Sequence, residues 1–356
     1  MRRLTILLVL LLALSGRVWA AEELFDEGQL RRALPESAAD MMEGITPEAP
    51  GDFSAGAAGI LTKAVSGSRG ALRGAAALCC QILAAVILCA VVRGAGGMAQ
   101  QGANLAGILT VGAVCAGRIS GFFALASETV DSISAFSGFL FSTLAAVTAA
   151  AGAAGTASSL YGITVMLCGL MTGVAQRVML PGISCYMALS IAGSAVGDGA
   201  LKPAADTLKL LLTNFLKFGV LAFTAYLSLT GVVGGSMDAA AVKAARLAIS
   251  SAVPVVGSIV ADASETLLVS ASVLRSGIGI FGMLGVLAVS VTPFLETGCQ
   301  YLMLKLTAAA AGAAGEKELA GLIGDMAGAM GLLAGLTGAC AAVLTVACVC
   351  FMKASV

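Results

Sequence analysis

Long apolar segments separated by short polar stretches dominate the sequence from residue 74 onward. They cover residues 74–92, 105–126, 135–154, 158–177, 178–197, 211–234, 277–310 and 327–350. A segment of about 20 apolar residues can cross about 30 Å of hydrocarbon as an α-helix. We therefore predict an all-α fold, namely a polytopic integral membrane helical bundle with about 7–8 transmembrane helices.

The composition agrees with a membrane location and narrows the functional classes. The chain is 59% hydrophobic and 11% charged, whereas soluble domains are about 45–50% apolar and about 25% charged. Basic and acidic residues number 20 each and are spread along the chain, so we predict no nucleic-acid partner. Histidine is absent, which removes the commonest general base and metal ligand. We accordingly predict no enzymatic activity, catalytic residue, cofactor or metal site.

The first twenty residues have the pattern of a secretory signal peptide. Arg2 and Arg3 precede an apolar stretch from Leu4 to Leu14, and small residues lead up to Ala20, where we expect cleavage. An uncleaved signal anchor is the alternative. Either interpretation places the following residues outside the cytoplasm, so we predict an extracytoplasmic polar segment and linker over 21–70 and a membrane domain over 71–356.

Loop charges give a weaker indication of orientation than the signal peptide does. With the mature N-terminus outside, Lys202 and Lys209 fall in a cytoplasmic loop, as the positive-inside rule requires. The basic residues Lys63, Arg69 and Arg73 fall on the extracytoplasmic side, contrary to the positive-inside rule. We keep the orientation given by the signal peptide and leave the side of the C-terminus open.

The apolar segment 277–310 is too long for a single crossing. As one straight helix it would measure about 50 Å, and Pro293 lies near its middle, so we predict two short helices or one broken helix. Glu296 and Gln300 lie four residues apart and therefore share a helix face. Beside a break, they are typical of a transporter polar site, or of a hairpin turn at the membrane surface where Glu296 is merely hydrated.

A second polar candidate lies in the second predicted span. Arg118 is inside this span, and a charge at the bilayer centre costs about 2.5–3.5 kcal/mol on insertion scales. Its partner stays open, because Glu128 and Asp131 lie two or three turns further along the same helix. Intramembrane ionisable residues are candidates for a pore or for contact with a partner.

The segment 236–276 has the pattern of an amphipathic helix that does not span the membrane. Pro254 suits the first turn of such a helix. Asp262 and Glu265 then fall on the side opposite the apolar residues. We predict an interfacial or re-entrant helix whose polar side faces a pore, another subunit or solvent.

Glycines spaced by three or four residues predict faces where helices approach closely. One stripe comprises Gly321, Gly324, Gly328, Gly331, Gly335 and Gly338, and a second pair comprises Gly193 and Gly197. Small residues allow the close packing that joins helices in a bilayer. The stripe predicts either tight packing within the chain or the interface of a homo-oligomer.

Two stretches resemble a known family. The segments "TVDSISAFSGFL" (129–140) and "SAVPVVGSIVADASETLLVSASVLRSGIG" (251–279), with the signal peptide and the spans that follow, resemble stage III sporulation protein AE. The resemblance implies a channel or permease-like component of the mother-cell membrane. It would belong to the secretion-like complex that links mother cell and forespore, with other membrane subunits, ring-forming extracytoplasmic subunits and a cytoplasmic ATPase. The chain has no phosphate-binding Walker loop, and a self-sufficient secondary transporter is the alternative function.

Overall fold

The computed structural model describes residues 31–46, 53–94, 99–150, 154–196, 201–226 and 257–353, which are almost entirely helical. The helices are α1 (Glu36–Met41), α2 (Phe53–Gly67), α3 (Arg69–Gly94), α4 (Ala99–Ala150), α5 (Ala154–Val174), α6 (Leu180–Val196), α7 (Lys202–Tyr226), α8 (Gly257–Ala313) and α9 (Lys317–Lys353). A π-helical turn, Ala175–Met179, joins α5 directly to α6.

Six helical units of the described ranges are long and apolar enough to cross a membrane. They are α3, α4, the continuous α5–α6 unit, α7, α8 and α9. The all-α polytopic fold is thus confirmed, but the described residues give six spans where the sequence predicts about 7–8. The count differs because α4 covers two predicted spans and the α5–α6 unit covers two more.

The predicted boundary between residues 126 and 135 is wrong because polarity alone does not end a helix. Residues 127–134 contain Glu128 and Asp131 but neither glycine nor proline, so nothing in the backbone interrupts α4. The boundary near residue 177 corresponds to the π-helical turn. Pro181 follows this turn, and the local rearrangement keeps the helix continuous through the proline.

The predicted break at Pro293 is also wrong. Helix α8 runs without interruption through Pro293, and the Thr297 hydroxyl donates a hydrogen bond of 2.7 Å to the Pro293 carbonyl. Side-chain hydroxyls and neighbouring helices are the groups that make proline tolerable in membrane helices. Residues 257–276 form the first part of this same helix, whereas residues 227–256 lie outside the described ranges, so the amphipathic segment 236–276 stays a prediction.

Helices α8 and α9 form an antiparallel hairpin at the centre of the bundle. Gly315 closes the hairpin with φ of 86°, a left-handed conformation that glycine adopts without steric cost. Along the hairpin, Phe294 lies against Gly338 and Tyr301 lies against Gly331. In the most apolar 18-residue window, 67% of α8 and 61% of α9 is buried, against 11% of α7, so α7 is the most peripheral of the six.

Close contacts at glycines and one hydrogen bond fix the direction of the other helices. The antiparallel contacts are Cys89 with Gly107 (α3–α4), Leu140 with Gly282 and Phe136 with Gly285 (α4–α8), Asp131 with Gln176 and Gly112 with Ile191 (α4 with the α5–α6 unit), and Gly182 with Leu212 and Gly193 with Leu201 (α6–α7). Successive spans therefore alternate in direction. We call the end of the bundle that contains Gly315 the upper end and the opposite end, near Ala150, the lower end.

Candidate polar and helix-packing sites

The polar candidate in α4 lies on the surface of the bundle. The Arg118 side chain is exposed and donates a hydrogen bond of 3.4 Å to the Gly74 carbonyl of α3. Neither Glu128 nor Asp131 accepts this bond. Asp131 Oδ1 instead accepts a hydrogen bond of 2.5 Å from Gln176 Nε2 of the π-helical turn. Among the described residues, Arg118 therefore makes one long hydrogen bond to its own bundle, and most of its guanidinium donors face outward.

The polar candidates of α8 lie on an unbroken helix. Glu296 is half-buried, and Gln300 is 2% exposed with no hydrogen-bond partner at Nε2 among the described residues. About two turns beyond Gln300, Thr307 is buried, and its hydroxyl donates a hydrogen bond to the Met303 carbonyl. A buried amide left unpaired costs about 1–3 kcal/mol, so Gln300 stays a candidate position for function.

The structure does not describe the side chains of the remaining polar candidates, Asp262 and Glu265. Their backbone belongs to the first part of α8. The direction in which their polar side faces stays a prediction.

The glycine stripe of α9 contacts two neighbouring helices of the same chain. Its glycines Gly331 and Gly338 face α8 as part of the central hairpin, and three others face α7: Gly321 opposite Lys202, Gly328 opposite Lys209, and Gly335 opposite Leu216. Both sets of numbers rise by seven, so α7 lies parallel to α9 in a heptad register. Gly324 has no neighbour within 4 Å of an added Cβ, Gly193 lies against Leu201, and Gly197 lies outside the described residues.

A polar cluster that the sequence did not predict lies where α6, α7 and α9 meet. The Tyr186 hydroxyl donates a hydrogen bond of 3.2 Å to Asp325 Oδ1, and Lys209 Nζ lies 5.5 Å from the centre of the Tyr186 ring. The ring can attract the ammonium by a cation–π interaction. Gly328 makes room for both groups, since a Cβ there would lie 2.7 Å from Lys209 Nζ and 2.9 Å from the Tyr186 hydroxyl.

The cluster is neutral overall and includes charges at its rim. Lys202 and Asp206 lie within electrostatic range of Asp325 and are exposed, whereas Lys209 and Asp325 are half-buried. Sequence reasoning missed the cluster because it placed Lys202 and Lys209 in a loop. The available signal was their seven-residue spacing, which matches that of Gly321, Gly328 and Gly335.

Substitution of Gly328 tests whether this glycine makes room for the Lys209 and Tyr186 side chains. We expect Gly328→Leu to displace Lys209 and Tyr186 and to lower the free energy of unfolding by about 1–3 kcal/mol, the usual cost of overpacking. Gly324→Leu is the matched control one turn away, because no atom lies within 4 Å of its added Cβ. Thermal unfolding in detergent would measure both, and equal stability of the two variants would contradict the packing described.

A second polar feature crosses the bundle at mid-height. The contacts that set the helix registers bring Glu128 of α4, Arg177 of the π-helical turn, Lys217 of α7 and Glu296 of α8 to about the same height. The first three side chains are exposed and the fourth is half-buried. We call these four residues the mid-height layer; it divides the bundle into an upper and a lower half.

The chain is similar to a known protein family and to a member of that family. The family model described as stage III sporulation protein AE matches residues 40–355. Stage III sporulation protein AE of Bacillus subtilis (strain 168) is 22% identical over 184 residues, which is 52% of this chain and 46% of that protein. The chain thus matches about half the length of that relative. No solved structure matches.

Proposed function

Because the chain belongs to the stage III sporulation protein AE family, and is thus a sporulation protein with a polytopic helical fold, we propose that it is a channel or permease-like subunit of a secretion-like complex. As the family resemblance implies, this complex links mother cell and forespore, and the chain resides in the mother-cell membrane. Its partners would be other membrane subunits, ring-forming extracytoplasmic subunits and a cytoplasmic ATPase.

The observation that carries the proposal is the outward position of charged residues within the candidate spans. Arg118, Lys217 and Lys305 are all exposed on the surface of the bundle. A basic residue facing lipid near the bilayer centre costs about 2.5–3.5 kcal/mol. Contact with polar groups of another subunit would remove that cost, so an outward charge favours an assembled state.

The interior of the bundle favours a subunit over a self-sufficient transporter. Among the described acidic and basic side chains, Glu316 alone is buried, and it lies at the turn between α8 and α9. The other buried polar side chains of the described ranges are serine, threonine, glutamine and Tyr186. A solute path through a single chain would place its ionisable groups inside the bundle or along a water-filled cavity.

The alternative function has one observation in its favour. Gln300 lies in the interior, one turn from the half-buried Glu296, and its Nε2 has no hydrogen-bond partner among the described residues. Such a pair could contact a small polar solute if the helices separated. Purified protein in liposomes tests this alternative: solute uptake by the chain alone, lost in Glu296→Ala, would support the transporter and contradict the subunit function.

The proposal predicts that outward cations hold partner subunits. We expect Arg118→Leu together with Lys305→Leu to reduce recovery of the other complex subunits several-fold when the tagged chain is purified from sporulating cells. Leu306→Ala is the control, because Leu306 is 66% exposed and adjacent to Lys305 but carries no charge. The variants should elute as the wild type does when purified alone. Unchanged recovery of every partner would overturn the assignment of these cations to subunit contacts.

A further inference from the structure

We infer that the bilayer surrounds only the upper half of the bundle, and that the lower half stands outside the hydrocarbon together with residues 31–67. The upper half comprises α3, α6 and the parts of α4, α7, α8 and α9 between the mid-height layer and Gly315. The lower half comprises α5, the remainder of α4, α7, α8 and α9, and the helix α2 packed on α8. This inference concerns the position of the membrane and goes beyond the proposed function.

The length of the bundle requires such a division. Helix α4 has 52 residues and α8 has 57, which correspond to about 78 Å and about 85 Å at 1.5 Å per residue. The hydrocarbon core is about 30 Å thick. From the mid-height layer, the helix end at Val196 lies about 28 Å away and the end at Ala150 lies about 33 Å away, so either half alone would fill one bilayer.

The segment that packs beside the lower half decides between the two. Lys63 of α2 donates a hydrogen bond to the Asp40 carbonyl. Lower down, a Cβ added at Gly56 would lie 3.6 Å from Ile45 and 2.8 Å from Leu284 of α8. Leu284 is twelve residues below Glu296, or about 18 Å, so residues 40–45 lie beside the middle of the lower half.

This segment cannot face lipid. Residues 42–46 are not helical, and Gly44 has a φ of 86°; irregular backbone exposed to lipid does not occur within the hydrocarbon region. Residues 31–46, which include this stretch, carry four exposed charged side chains, Arg32, Glu36, Asp40 and Glu43. A bilayer around the lower half would have to accommodate both the irregular backbone and the exposed charges.

The upper half has the surface that lipid requires. Its outer helix α3 is the most apolar of the six candidate spans, and Ile87, Leu88 and Val91 on it are 59–67% exposed. Between the mid-height layer and the upper end, the described backbone of the spans is helical throughout. Six described basic side chains are also exposed here, namely Arg69, Arg73, Arg118, Lys202, Lys305 and Lys317. Arg69, Lys202 and Lys317 begin their helices, and Arg118 and Lys305 are the residues to which the proposed function assigns subunit contacts.

A matched pair of positions tests the inference. Leu211 of α7 and Leu170 of α5 are each 59% exposed, and they lie about 9 Å above Lys217 and about 10 Å below Arg177. In the purified full-length chain with its native cysteines replaced, Leu211→Cys and Leu170→Cys would each be labelled with bimane and placed in liposomes of brominated phosphatidylcholine. We expect several-fold stronger quenching at position 211, with Ile87→Cys as a second upper position.

The outcomes separate this inference from the proposed function. Stronger quenching at position 170, or equal quenching at both positions, would overturn the placement of the bilayer. The liposomes contain no other subunit, so that result would leave the proposed subunit function standing. If the cysteine-free protein does not fold, labelling of the native exposed Cys80 and Cys185 replaces it. Both belong to the upper half, and strong labelling by a membrane-impermeant maleimide in liposomes would contradict the inference.

Discussion

Replacing Gly285 with alanine is expected to loosen α8 from α4 and to lower the free energy of unfolding by about 1–3 kcal/mol. A Cβ at this position would lie 2.5 Å from Cζ and 2.9 Å from Cε1 of Phe136, well inside the contact distance of two carbon atoms. Phe136 is fully buried, so its ring cannot turn outward into the surroundings to avoid the clash. The helix propensity gained by alanine, about 1 kcal/mol, offsets only part of this cost.

Gly298→Ala is the matched control for this prediction. It lies in the same helix, and no atom is within 4 Å of its added Cβ, so it should retain the gain in helix propensity without a clash. Thermal unfolding in detergent, followed by circular dichroism, would compare the two. We also expect Phe136→Leu to recover part of the loss when combined with Gly285→Ala, because the smaller side chain makes room. Equal stability of Gly285→Ala and Gly298→Ala would contradict the α4–α8 contact.

The sequence predicts which segments are helical and apolar better than it predicts where a helix ends. Apolar length determines whether a segment can enter a bilayer, and each predicted span, where described, lies in a helix. Hydropathy falls over residues 127–134, yet α4 continues because backbone hydrogen bonds within a helix do not depend on side-chain polarity. Pro293 shows the converse: a residue that usually interrupts a helix is tolerated because its surroundings support the continuous form.

Glycine spacing predicts close approach but not the partner of each glycine. The stripe of α9 reads as one face in the sequence, whereas in the structure Gly331 contacts α8 and Gly328 contacts α7. Positions three residues apart on a stripe differ by about 60° around the helix axis, enough to reach different neighbours. Which helix takes each position depends on contacts between residues more than a hundred positions apart, and no local pattern records these.

The cluster of Tyr186, Lys209 and Asp325 shows the same limit for a polar site. Each residue belongs to a different helix, and its partners lie on the two other helices. Intramembrane ionisable residues are functional candidates by default, and that rule singled out Arg118 and Glu296 in the same way. It could not say that Arg118 faces outward or that Asp325 pairs with a buried tyrosine.

The pairing within this cluster leads to the second large expected effect. Asp325→Leu should lower the free energy of unfolding by about 1–3 kcal/mol, because the buried Tyr186 hydroxyl loses its acceptor and the half-buried Lys209 loses a countercharge within electrostatic range. Removal of one partner of a charge pair costs more than replacement of both. We therefore expect Asp325→Leu combined with Lys209→Met to be more stable than Asp325→Leu alone.

A double-mutant cycle in detergent measures this coupling. The two single variants and the combined variant should give an interaction energy of about 0.5–3 kcal/mol between positions 209 and 325, in the direction of rescue. Asp206→Asn is the control, since Asp206 is exposed at the rim of the cluster and a surface charge contributes little to stability.

Because α7 is the least buried span, Asp325→Leu should also weaken the docking of α7 on α9. A disulfide between Leu216→Cys and Gly335→Cys, which face each other, would report that docking. Additive losses in the cycle and an unchanged disulfide yield would show that the cluster does not hold α7 in place.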